Sequence, residues 1–593
     1  MSVLGLSSFD HDTAAALLQG GRITSAIEND KMDRTDTRGL PQAAIRFCLE
    51  VTAHGWEDVA VVAVAGSAFS GWLRQSWSDA RLAASAPFAS AYHQLHAVGD
   101  LTRNLDHLRV LRRLAGGKTR LVAFDHHLCH AASAFYASPF EQSLILTMDE
   151  NGDGCCGMLA IAEGTQIRVL HRIYFPDSLA WLYSQITELA GFVSHKEEHK
   201  AQWFGLAGQP EFKGLLREMI RSSRSAFPRL NHRFVRRDLD RGLVLSSEFY
   251  RRTGLPAIPS QLTEQQRQSL ACSVQQTCCD VIVKLVEQSR REHGELPVCF
   301  AGGLFQNSLL VASLEKKLGS SQVFVPPAPG NSGTALGAAF LAWHDVLKQP
   351  RVDSVYSSYW GPRFSPQQTK DVLDNCKARY SLQNTDDRKV ETAIRLLAAG
   401  KIVGWMQGAA EFGPRALGNR SVLSSPWAPY VRENLNDFIK HREWFRPFAI
   451  SVPEEDCPRY FDASQQCQFM NSLGTVQPGP VCLPESFLLP GGQVRLHVVK
   501  KESNPLFWRL LKSFGAHAAA PMLVNTSFNL FGEPLVVTPR DAARSYFCSG
   551  IDALFMNNFV LAKPSAVHLL ETPATKQFAN KVSPPLFSPR VAS

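Results

Sequence analysis

Three short runs of apolar and small residues, separated by polar turns, open the chain. Their order is "VLGLSS", the turn "FDHD", "TAAALLQ", the turn "GGR" and "ITSAIE". Runs of this length bounded by Gly, Asp and Ser predict strands joined by tight turns. The same order returns over residues 143–175 as "SLILTM", "DENGDG", "CCGMLAIA", "EGTQ" and "IRVLHRIYF". The sequence therefore predicts an internal duplication in which each half has an acidic turn after its first strand.

Helical stretches follow each of these β units, and strand–helix units such as "PVCFAGG" with "NSLLVASLEKKLG" come after the second. This alternation predicts an α/β domain built twice around a cleft. Turns that follow strands in this class bind phosphates and metals, because backbone N–H groups and helix N-termini point into the cleft there. We therefore expect the two acidic turns to face each other.

The pattern changes over residues 351–366, "RVDSVYSSYWGPRFSP", where Ser, Tyr, Pro and Gly predict a linker. A helix at about 387–399 and the strand "KIVGWMQ" then begin a second α/β domain with a different pattern. Pro and Ser in the last residues predict a tail. The expected organisation is a first domain over residues 1–350, a second over 356–564 and a C-terminal tail over 565–593.

Length and composition are those of a globular protein with more than one domain. The chain has 593 residues, of which 45% are hydrophobic and 20% are charged. The net charge of +8 is spread too thinly to indicate nucleic acid by itself. The basic segment 221–242 fits either a solvated face or an insertion that touches an anionic substrate.

Cysteine usage and the N-terminus bear on the compartment. Thirteen cysteines without a CxxC pair predict reduced, mostly buried thiols. Asp10 and His11 come too early for a signal peptide, and no apolar run reaches the roughly 18 residues that span a bilayer. We therefore expect a cytoplasmic protein with neither a membrane nor a nucleic acid as partner.

The segment "HHLCHAASAF", residues 126–135, packs three histidines into five positions. His126 and His130 are four residues apart, so a helix places both on one face. Two imidazoles with a carboxylate from elsewhere form a common transition-metal site. The spacing alone also fits a helix start with one hydrogen-bonded core histidine, and both interpretations stay open on this evidence.

Three stretches of the second domain concentrate positive and polar side chains. They are "AAEFGPRALGNRS" with Arg415 and Arg420, "IKHREWFRPFA" with Lys440, Arg442 and Arg446, and "VNTSFNLFGEP" with Asn525, Thr526, Ser527 and Asn529. Guanidinium, ammonium, hydroxyl and amide groups are what a site for dense phosphate charge requires. The alternative is a surface ion-pair network.

These stretches, together with "HHLCHAASAFY", "AGGLFQN" and "GNSGTALGAA", resemble the signature segments of the NodU/CmcH O-carbamoyltransferase family. The resemblance spans residues 1–563 with the motifs in family order. It implies a first domain with the duplicated actin/hexokinase-like ATPase fold, in the threonylcarbamoyl-transferase branch, followed by a YrdC-like α/β domain. It also implies that carbamoyl phosphate and ATP form carbamoyl adenylate in the YrdC-like domain, and that the first domain transfers the carbamoyl group to a small-molecule hydroxyl.

The resemblance also implies roles for individual residues. Carbamoyl phosphate and ATP would bind in the second domain to Arg415, Lys440, Arg446, Asn525, Ser527 and Asn529. Nucleotide would contact Gly152, Gly154, Gly302, Gly303 and Asn307 in the first domain. His126, His130 and Asp149 fall on the ligands of a divalent metal, with Fe²⁺ as the implied ion, and His127 would make structural hydrogen bonds. ATP is the implied co-substrate, with or without Mg²⁺, and a homodimer is compatible with the resemblance.

His11 matches the family histidine that would deprotonate the acceptor hydroxyl, since a neutral imidazole can accept that proton. The alternative is a turn histidine bonded to Asp10 or Asp12.

Some positions depart from the family pattern. Asn331 stands where the family has an aspartate as second carboxylate ligand, and an amide is a weaker, neutral ligand. Glu28 and Arg34 remain from an early family segment, and "HKEEHKAQWFGLAG" stretches the usual lysine-to-glycine spacing. The acceptor pocket is expected between the repeated halves, near residues 66–110 and 194–260.

Two alternatives to a small-molecule carbamoyltransferase remain open on the sequence. One is a fused enzyme of tRNA threonylcarbamoyl-adenosine synthesis, although the chain shows no dedicated RNA-binding stripe. The other is a nucleotide-binding scaffold that has lost catalysis, and its support is Asn331.

Overall fold

A computed structural model describes residues 1–571, except residue 10, residues 36–37, 53–54 and 83–86, residue 118, residues 223–226 and 353–356, and residue 480. The protein has a mixed α/β fold. The last residues of the predicted tail, 572–593, lie outside the described residues, whereas its beginning is helical. None of the helices in the described ranges is long and apolar enough to cross a membrane.

The first unit contains a five-stranded sheet of order β3-β2-β1-β4-β5. β1, β2 and β3 form an antiparallel meander, and β4 and β5 continue parallel to β1. The elements are β1 Ser2–Ser7, β2 Ala14–Gln19, β3 Arg22–Glu28, α1 Asn29–Asp33, α2 Gln42–Glu50, β4 Val59–Ala65, α3 Ala68–Leu82, α4 Pro87–Ala115, β5 Arg120–Phe124 and α5 His126–Phe135.

The second unit repeats this topology with a sheet of order β14-β13-β6-β7-β8. Three antiparallel strands are again extended by two parallel ones, so the repeated turn pattern of the sequence has a structural counterpart. The elements are β6 Gln142–Gly152, β7 Cys155–Glu163, β8 Gln166–Tyr174, α6 Leu179–Leu189, α7 Glu198–Phe204, α8 Lys213–Met219, β9 Ile220–Ser222, β10 Pro228–Leu230, β11 Val235–Asp238, β12 Gly242–Leu245, α9 Ser247–Thr253, α10 Glu264–His293, β13 Val298–Ala301, α11 Ser308–Leu318, β14 Val323–Phe324 and α12 Thr334–Leu341.

Helices α5 and α12 pack against each other within one apolar core that draws on both sheets. Small residues make this contact close, because a Cβ added at Gly337 would lie 1.8 Å from the carbonyl oxygen of Cys129. A Cβ added at Gly5 would lie 2.0 Å from the carbonyl oxygen of Ala335. The small apolar residues after the histidines therefore fix α5 between the two halves.

The remaining elements belong to a ten-stranded sheet of order β15-β24-β23-β16-β17-β22-β18-β21-β20-β19 and its helices. The helix predicted at about 387–399 is α14, and the strand predicted in "KIVGWMQ" is β16. The elements are α13 Pro366–Asn375, β15 Ser381–Leu382, α14 Asp386–Ala398, β16 Val403–Met406, β17 Arg420–Ser424, α15 Val431–Leu435, β18 Ala449–Pro453, α16 Cys457–Tyr460, β19 Phe461–Asp462, β20 Leu473–Val476, β21 Gln493–Val499, α17 Pro505–Gly515, β22 Leu523–Ser527, α18 Pro539–Phe547, β23 Ala553–Met556, β24 Phe559–Ala562 and α19 Pro564–Glu571.

The cysteines agree with the sequence prediction, and one of the two interpretations of the basic segment gains support. All thirteen cysteines are free, and nine of them are buried. In the basic segment 221–242, Arg233, Arg236 and Arg241 are exposed and pair with surface carboxylates, as the solvated-face interpretation expects. The domain boundaries at 350, 356 and 564 stay predictions.

Candidate active site

Helix α5 begins where Asp125 caps it, directly before the histidines. Asp125 Oδ1 accepts a hydrogen bond of 3.1 Å from the amide of Leu128. The same carboxylate forms ion pairs with Arg74 at 2.7 Å and with Arg172 at 3.0 Å. Burial alone would raise the pKa of Asp125, but Arg172, His127 and Arg74 outweigh it and lower the pKa to about 2. A charged cap therefore fixes the start of the helix.

Asp125→Asn is expected to keep the cap but lose the ion pairs. The folded pKa of Asp125 lies below its unfolded value of 3.8, so its charge stabilises the fold above pH about 4. This contribution, about 2 kcal/mol, should shrink as pH falls from about 4 toward 2. The melting temperatures of the two proteins, measured against pH, should differ most above pH about 4. A difference that does not change with pH would contradict the role of this carboxylate.

His126, His130 and Asp149 bring one ligand atom each to a single point. His130 Nε2 lies 3.1 Å from His126 Nε2 and 3.1 Å from Asp149 Oδ2. His126 Nε2 lies 3.7 Å from the same carboxylate oxygen. Two nitrogen ligands at about 2.1 Å from one ion are about 3.0 Å apart when they subtend 90° and about 3.4 Å apart at the tetrahedral angle. The spacing therefore fits a divalent metal held by two imidazoles and one carboxylate.

The electrostatics of this group agree with its geometry. Burial would raise the pKa of Asp149, but its contacts with His126 and His130 hold the pKa well below the usual value. Burial lowers the pKa of His130, although Asp149 opposes that shift. Asp149 therefore stays an anion and His130 favours the neutral form, as metal ligands require.

His127 confirms the structural role predicted for it. Its Nδ1 lies 2.8 Å from Thr147 Oγ1, and its Nε2 lies 3.0 Å from the carbonyl oxygen of Cys155. Burial, together with the charges of His126 and His130, lowers its pKa to about 3. Both ring nitrogens are thus used in the core.

Asn331 and His11 extend the group toward the acidic turn of the first half. Asn331 Nδ2 lies 3.3 Å from His11 Nε2. The Oδ1 atom of Asn331 is buried, and the contact of this side chain with His130 raises the pKa of His130 against the effect of burial. This carbonyl oxygen is available as a weak ligand, which stays a prediction.

His11 itself is half exposed, and its Nδ1 lies 3.1 Å from Asp12 Oδ2. The contact proposed for a turn histidine is therefore present. This contact uses Nδ1. The other ring nitrogen, Nε2, faces Asn331 and is the atom through which His11 would act as a base.

The glycines predicted to contact nucleotide have close packing roles. A Cβ at Gly152 would lie 2.1 Å from His126 Cδ2, and one at Gly302 would lie 2.1 Å from the carbonyl oxygen of Met148. Gly154 has φ +73°, and a Cβ there would lie 2.7 Å from Arg74 Cβ. A Cβ at Gly303 would lie 3.1 Å from Asp149 Oδ1. These positions let the backbone approach the metal-ligand group, and their nucleotide contacts stay predictions.

Asn307 has a different environment. Its Oδ1 accepts from the amide of Leu310 at 3.0 Å and so caps α11. Its Nδ2 donates to Gln275 and Tyr183 at 2.7 and 3.2 Å. A nucleotide at Asn307 would have to replace these bonds.

In the C-terminal part, Lys440 is buried at the end of a π-helical turn, Asn436–Lys440. Its Nζ donates to Ser527 Oγ at 3.1 Å, to Asn529 Oδ1 at 2.7 Å and to the carbonyl oxygens of both residues. Ser527 Oγ also donates to Asn529 Oδ1 at 2.7 Å. Burial, with the charges of Arg442 and Arg446, lowers the pKa of Lys440 well below its usual value. The structure thus brings together three residues that the sequence assigned to one site.

Four guanidinium groups lie close enough to lower one another's pKa, and two of them, those of Arg442 and Arg446, also act on Lys440. We call them the arginine cluster: Arg415, Arg442, Arg446 and Arg495. Burial lowers the pKa of each, and the charge of Arg446 lowers those of the other three further. Arg446 lies 3.6 Å from Glu443, and the Nε atoms of Arg415 and Arg495 are buried without a hydrogen-bond partner in the described ranges. Cations crowded in this way favour a bound polyanion.

Two other arginine or amide residues of these stretches, Asn525 and Arg420, are buried and hydrogen-bonded within the protein. Asn525 is buried, and its Nδ2 donates to Ser451 Oγ at 3.0 Å, while its Oδ1 has no partner among the described residues. Arg420 is fully buried, and its guanidinium donates to the carbonyl oxygens of Gln407 and Pro362 at 2.8 and 3.1 Å. Of the two arginines in "AAEFGPRALGNRS", Arg415 therefore belongs to the arginine cluster and Arg420 belongs to the core.

Sequence reasoning missed the residues that join this cluster to the second unit. Lys200 pairs with both Glu197 and Glu443, each at 2.5 Å. His199 lies near Arg446 and Arg415, which with burial lower its pKa to about 3. Arg495 stands alone in its strand, so no local pattern could have shown it. The unusual spacing in "HKEEHKAQWFGLAG" was the available signal for His199 and Lys200.

Glu28 and Arg34 also bridge the two parts. Glu28 Oε1 accepts from the amide of Gly413 at 2.6 Å, and Lys31, paired with Glu28, donates to the carbonyl oxygen of Gly413 at 2.7 Å. Arg34 pairs with Glu533 at 3.0 Å. These residues hold the loop of Arg415 and the loop after Asn529 against the first unit.

One short turn connects the two groups of charged side chains. The 3₁₀ turn Gly303–Gln306 begins beside Asp149, and the carbonyl oxygen of Gln306 accepts from Arg415 at 3.0 Å. A 3₁₀ helix rises about 2 Å per residue, so the two ends of this turn are about 6 Å apart. The metal-ligand group and the arginine cluster are therefore neighbours.

Two family models match the chain. Carbamoyltransferase N-terminus matches residues 2–340, and Carbamoyltransferase C-terminus matches residues 394–563. The chain belongs to the carbamoyltransferase family. This carbamoyltransferase is 31% identical to an uncharacterized protein of Synechocystis sp. over 95% of its length and 96% of that protein.

Two other relatives have names that refer to a function. Nodulation protein NolNO of Sinorhizobium fredii is 30% identical to this carbamoyltransferase, over 94% of the chain and 80% of that protein. A 3'-hydroxymethylcephem-O-carbamoyltransferase of Amycolatopsis lactamdurans is 34% identical over 38% of the chain and 41% of that protein. The protein is therefore an enzyme of a family that includes O-carbamoyltransferases.

Proposed function

We propose that the protein is an ATP-dependent O-carbamoyltransferase for a hydroxyl of a small-molecule natural product. The C-terminal, YrdC-like part makes carbamoyl adenylate from carbamoyl phosphate and ATP. The N-terminal, actin/hexokinase-like part transfers the carbamoyl group. The name of the Amycolatopsis relative, an enzyme that acts on an oxygen acceptor, supports this proposal.

One observation carries the proposal: Arg415 of the arginine cluster bonds one end of the turn Gly303–Gln306, and the other end of that turn lies beside Asp149. The buried cations of the cluster outnumber the carboxylates that pair with them. The cluster therefore fits the phosphate groups of both substrates, carbamoyl phosphate and ATP. The imidazole–carboxylate group at the other end of the turn fits the second reaction. Carbamoyl adenylate is a mixed anhydride that water hydrolyses, so two adjoining sites protect it.

The first reaction consumes one water and releases one phosphate and one pyrophosphate. Water cleaves carbamoyl phosphate to carbamate and phosphate while Arg415, Arg446 and Lys440 hold the anions. A carbamate oxygen then attacks the α-phosphorus of ATP, and the bond to the β-phosphate oxygen breaks to release pyrophosphate. The cations stabilise the charge that develops on the transferred and departing groups.

In the second reaction the acceptor oxygen attacks the carbamoyl carbon. The bond from that carbon to the AMP oxygen breaks, AMP leaves with the electron pair, and the hydroxyl proton passes to His11 Nε2. His126, His130 and Asp149 would hold a divalent ion, for which we propose Fe²⁺, with Asn331 as a weak further ligand. When bound, this ion would supply positive charge that stabilises the phosphate of the departing AMP.

Pyrophosphate release by the purified chain tests the proposal. With ATP and carbamoyl phosphate together, pyrophosphate and carbamoyl adenylate should appear, and neither substrate alone should suffice. If threonine and bicarbonate replace carbamoyl phosphate with higher rates, the tRNA-modifying function is correct instead. If no combination releases pyrophosphate, the chain is a scaffold.

His130→Ala is expected to lower the metal content of the purified protein. The variant removes the nitrogen that lies 3.1 Å from each of the other two ligand atoms. Elemental analysis should find about one divalent ion per chain before the change and much less after it. Pyrophosphate release, which occurs in the C-terminal part, should persist. His517→Ala, at an exposed histidine, provides the control, and equal metal content in all three proteins would exclude this site.

A further inference from the structure

Helix α7 of the second unit packs against the arginine cluster of the C-terminal part. The guanidinium carbon of Arg495 lies 5.9 Å from the centre of the Trp203 ring, within the range of a cation–π contact. On the same helix, Phe204 packs against Phe445, with ring centres 5.1 Å apart. A helix from the N-terminal part therefore forms one side of the arginine cluster.

Lys200 joins this helix to the C-terminal part through an ion pair. Lys200 is buried, and its Nζ lies 2.5 Å from Glu443 Oε1 and 2.5 Å from Glu197 Oε1. The other carboxylate oxygen of Glu197 accepts a hydrogen bond of 2.9 Å from the amide of Val193, so Glu197 is itself held at the start of α7. One ammonium group thus ties the carboxylate of Glu443 to the second unit.

Glu443 lies next to Arg446 but forms no hydrogen bond with it. Oε2 of Glu443 is 3.6 Å from Nη1 of Arg446, which is too long for a hydrogen bond. That oxygen has no hydrogen-bond partner in the described part of the chain. The side chain of Arg446 is 23% exposed, so an anion can approach it. The carboxylate that could neutralise Arg446 is therefore held by Lys200 instead.

A carboxylate and a phosphate compete for the same guanidinium, because both accept its forked N–H donors. Burial would raise the pKa of Glu443, but Lys200 and Arg446 outweigh it and lower the pKa, so this carboxylate is charged. Without the ammonium of Lys200, a shift of about 0.8 Å would bring Glu443 to the usual distance of a charge-assisted hydrogen bond with Arg446. A substrate phosphate would then have to displace an internal anion.

We propose that Lys200 is a positioning residue of the phosphate-binding site: it holds the carboxylate of Glu443 away from Arg446 and so keeps this guanidinium free for carbamoyl phosphate. The site of the first reaction is therefore complete only when α7 is in place against the C-terminal part. This inference rests on the proposed function, because it names carbamoyl phosphate as the anion.

The kinetics of pyrophosphate release by the full chain, at saturating ATP and varied carbamoyl phosphate, test the inference. Lys200→Met keeps an unbranched side chain and removes the charge. The KM for carbamoyl phosphate should rise about tenfold, because Glu443 then competes for Arg446. The kcat should stay within about twofold, because saturating substrate displaces the carboxylate. The double variant Lys200→Met/Glu443→Gln removes the competing anion, so its KM should return to within about twofold of that of the unchanged protein.

Lys512→Met is the matched control for Lys200→Met. Lys512 is a lysine of α17 that also pairs with two carboxylates, those of Asp456 and Glu455, and its loss should leave the KM unchanged. An unchanged KM in Lys200→Met would overturn the inference. A raised KM that persists in the double variant would overturn it as well, because Lys200 would then act through its own charge and not through Glu443.

Calorimetric titration with inorganic phosphate separates this inference from the proposed function. The affinity for phosphate should fall about tenfold in Lys200→Met and recover in the double variant, whether or not the chain makes pyrophosphate. This binding pattern without pyrophosphate release from the unchanged protein refutes the proposed function alone. Normal release with a phosphate affinity that Lys200→Met does not alter refutes the role of Lys200 alone. Neither release nor phosphate binding by the unchanged protein refutes both.

Discussion

Lys440→Ala is expected to reduce pyrophosphate release from ATP and carbamoyl phosphate by about 10²-fold to 10³-fold. The ammonium is buried beside the guanidiniums of Arg442 and Arg446, so it contributes charge where two anions must meet. It also fixes the turn of Ser527 and Asn529 through four oxygen contacts. Alanine removes both contributions, and the assay is the initial rate of pyrophosphate release.

Lys370→Ala provides the matched control for this change. Lys370 is an exposed lysine of α13 that pairs with Asp374, and its loss should leave the rate unchanged. Melting curves of both variants show whether the fold is retained. A folded Lys440→Ala protein with a normal rate would remove Lys440 from the site.

His11→Ala should leave pyrophosphate release intact and reduce formation of the carbamate ester by about 10²-fold to 10⁴-fold. The reason is that His11 lies beside Asn331, next to the metal-ligand group, and would act on the acceptor proton. Mass spectrometry of the carbamoylated acceptor measures the ester, and pyrophosphate measures the first reaction in the same sample.

Asp12→Asn is the informative companion to His11→Ala. It keeps the imidazole but changes the group that faces Nδ1 at 3.1 Å. Ester formation should fall by about tenfold to a hundredfold, less than with His11→Ala. A normal ester yield from His11→Ala would show that another group accepts the proton.

The periodic parts of the sequence predicted the periodic parts of the structure. The repeated strands and acidic turns predicted two units, and the two five-stranded sheets have the same strand order. The i, i+4 spacing predicted that His126 and His130 share a helix face, and their Nε2 atoms lie 3.1 Å apart. These inferences depend on local geometry, which the sequence contains directly.

Contacts between distant segments could not be predicted in the same way. Lys200 meets Glu443, and Glu28 meets Gly413, across more than two hundred residues of sequence. Trp72 and His107 belong to a helical segment without a recognisable motif, and only folding brings them to the turn of Asn151. Arg420 lies in a motif whose charges suggested a phosphate site, but its guanidinium binds carbonyl oxygens in the core.

The central claim is that the arginine-lined part makes an activated carbamoyl group for use at the neighbouring imidazoles. A single-turnover reaction tests it most directly, with enzyme in excess over ¹³C-labelled carbamoyl phosphate, ATP present and no acceptor. Acid quenching and mass spectrometry should find carbamoyl adenylate that contains the ¹³C label, in an amount equal to the pyrophosphate released. Pyrophosphate without labelled adenylate, or label that stays in carbamoyl phosphate, would contradict the account.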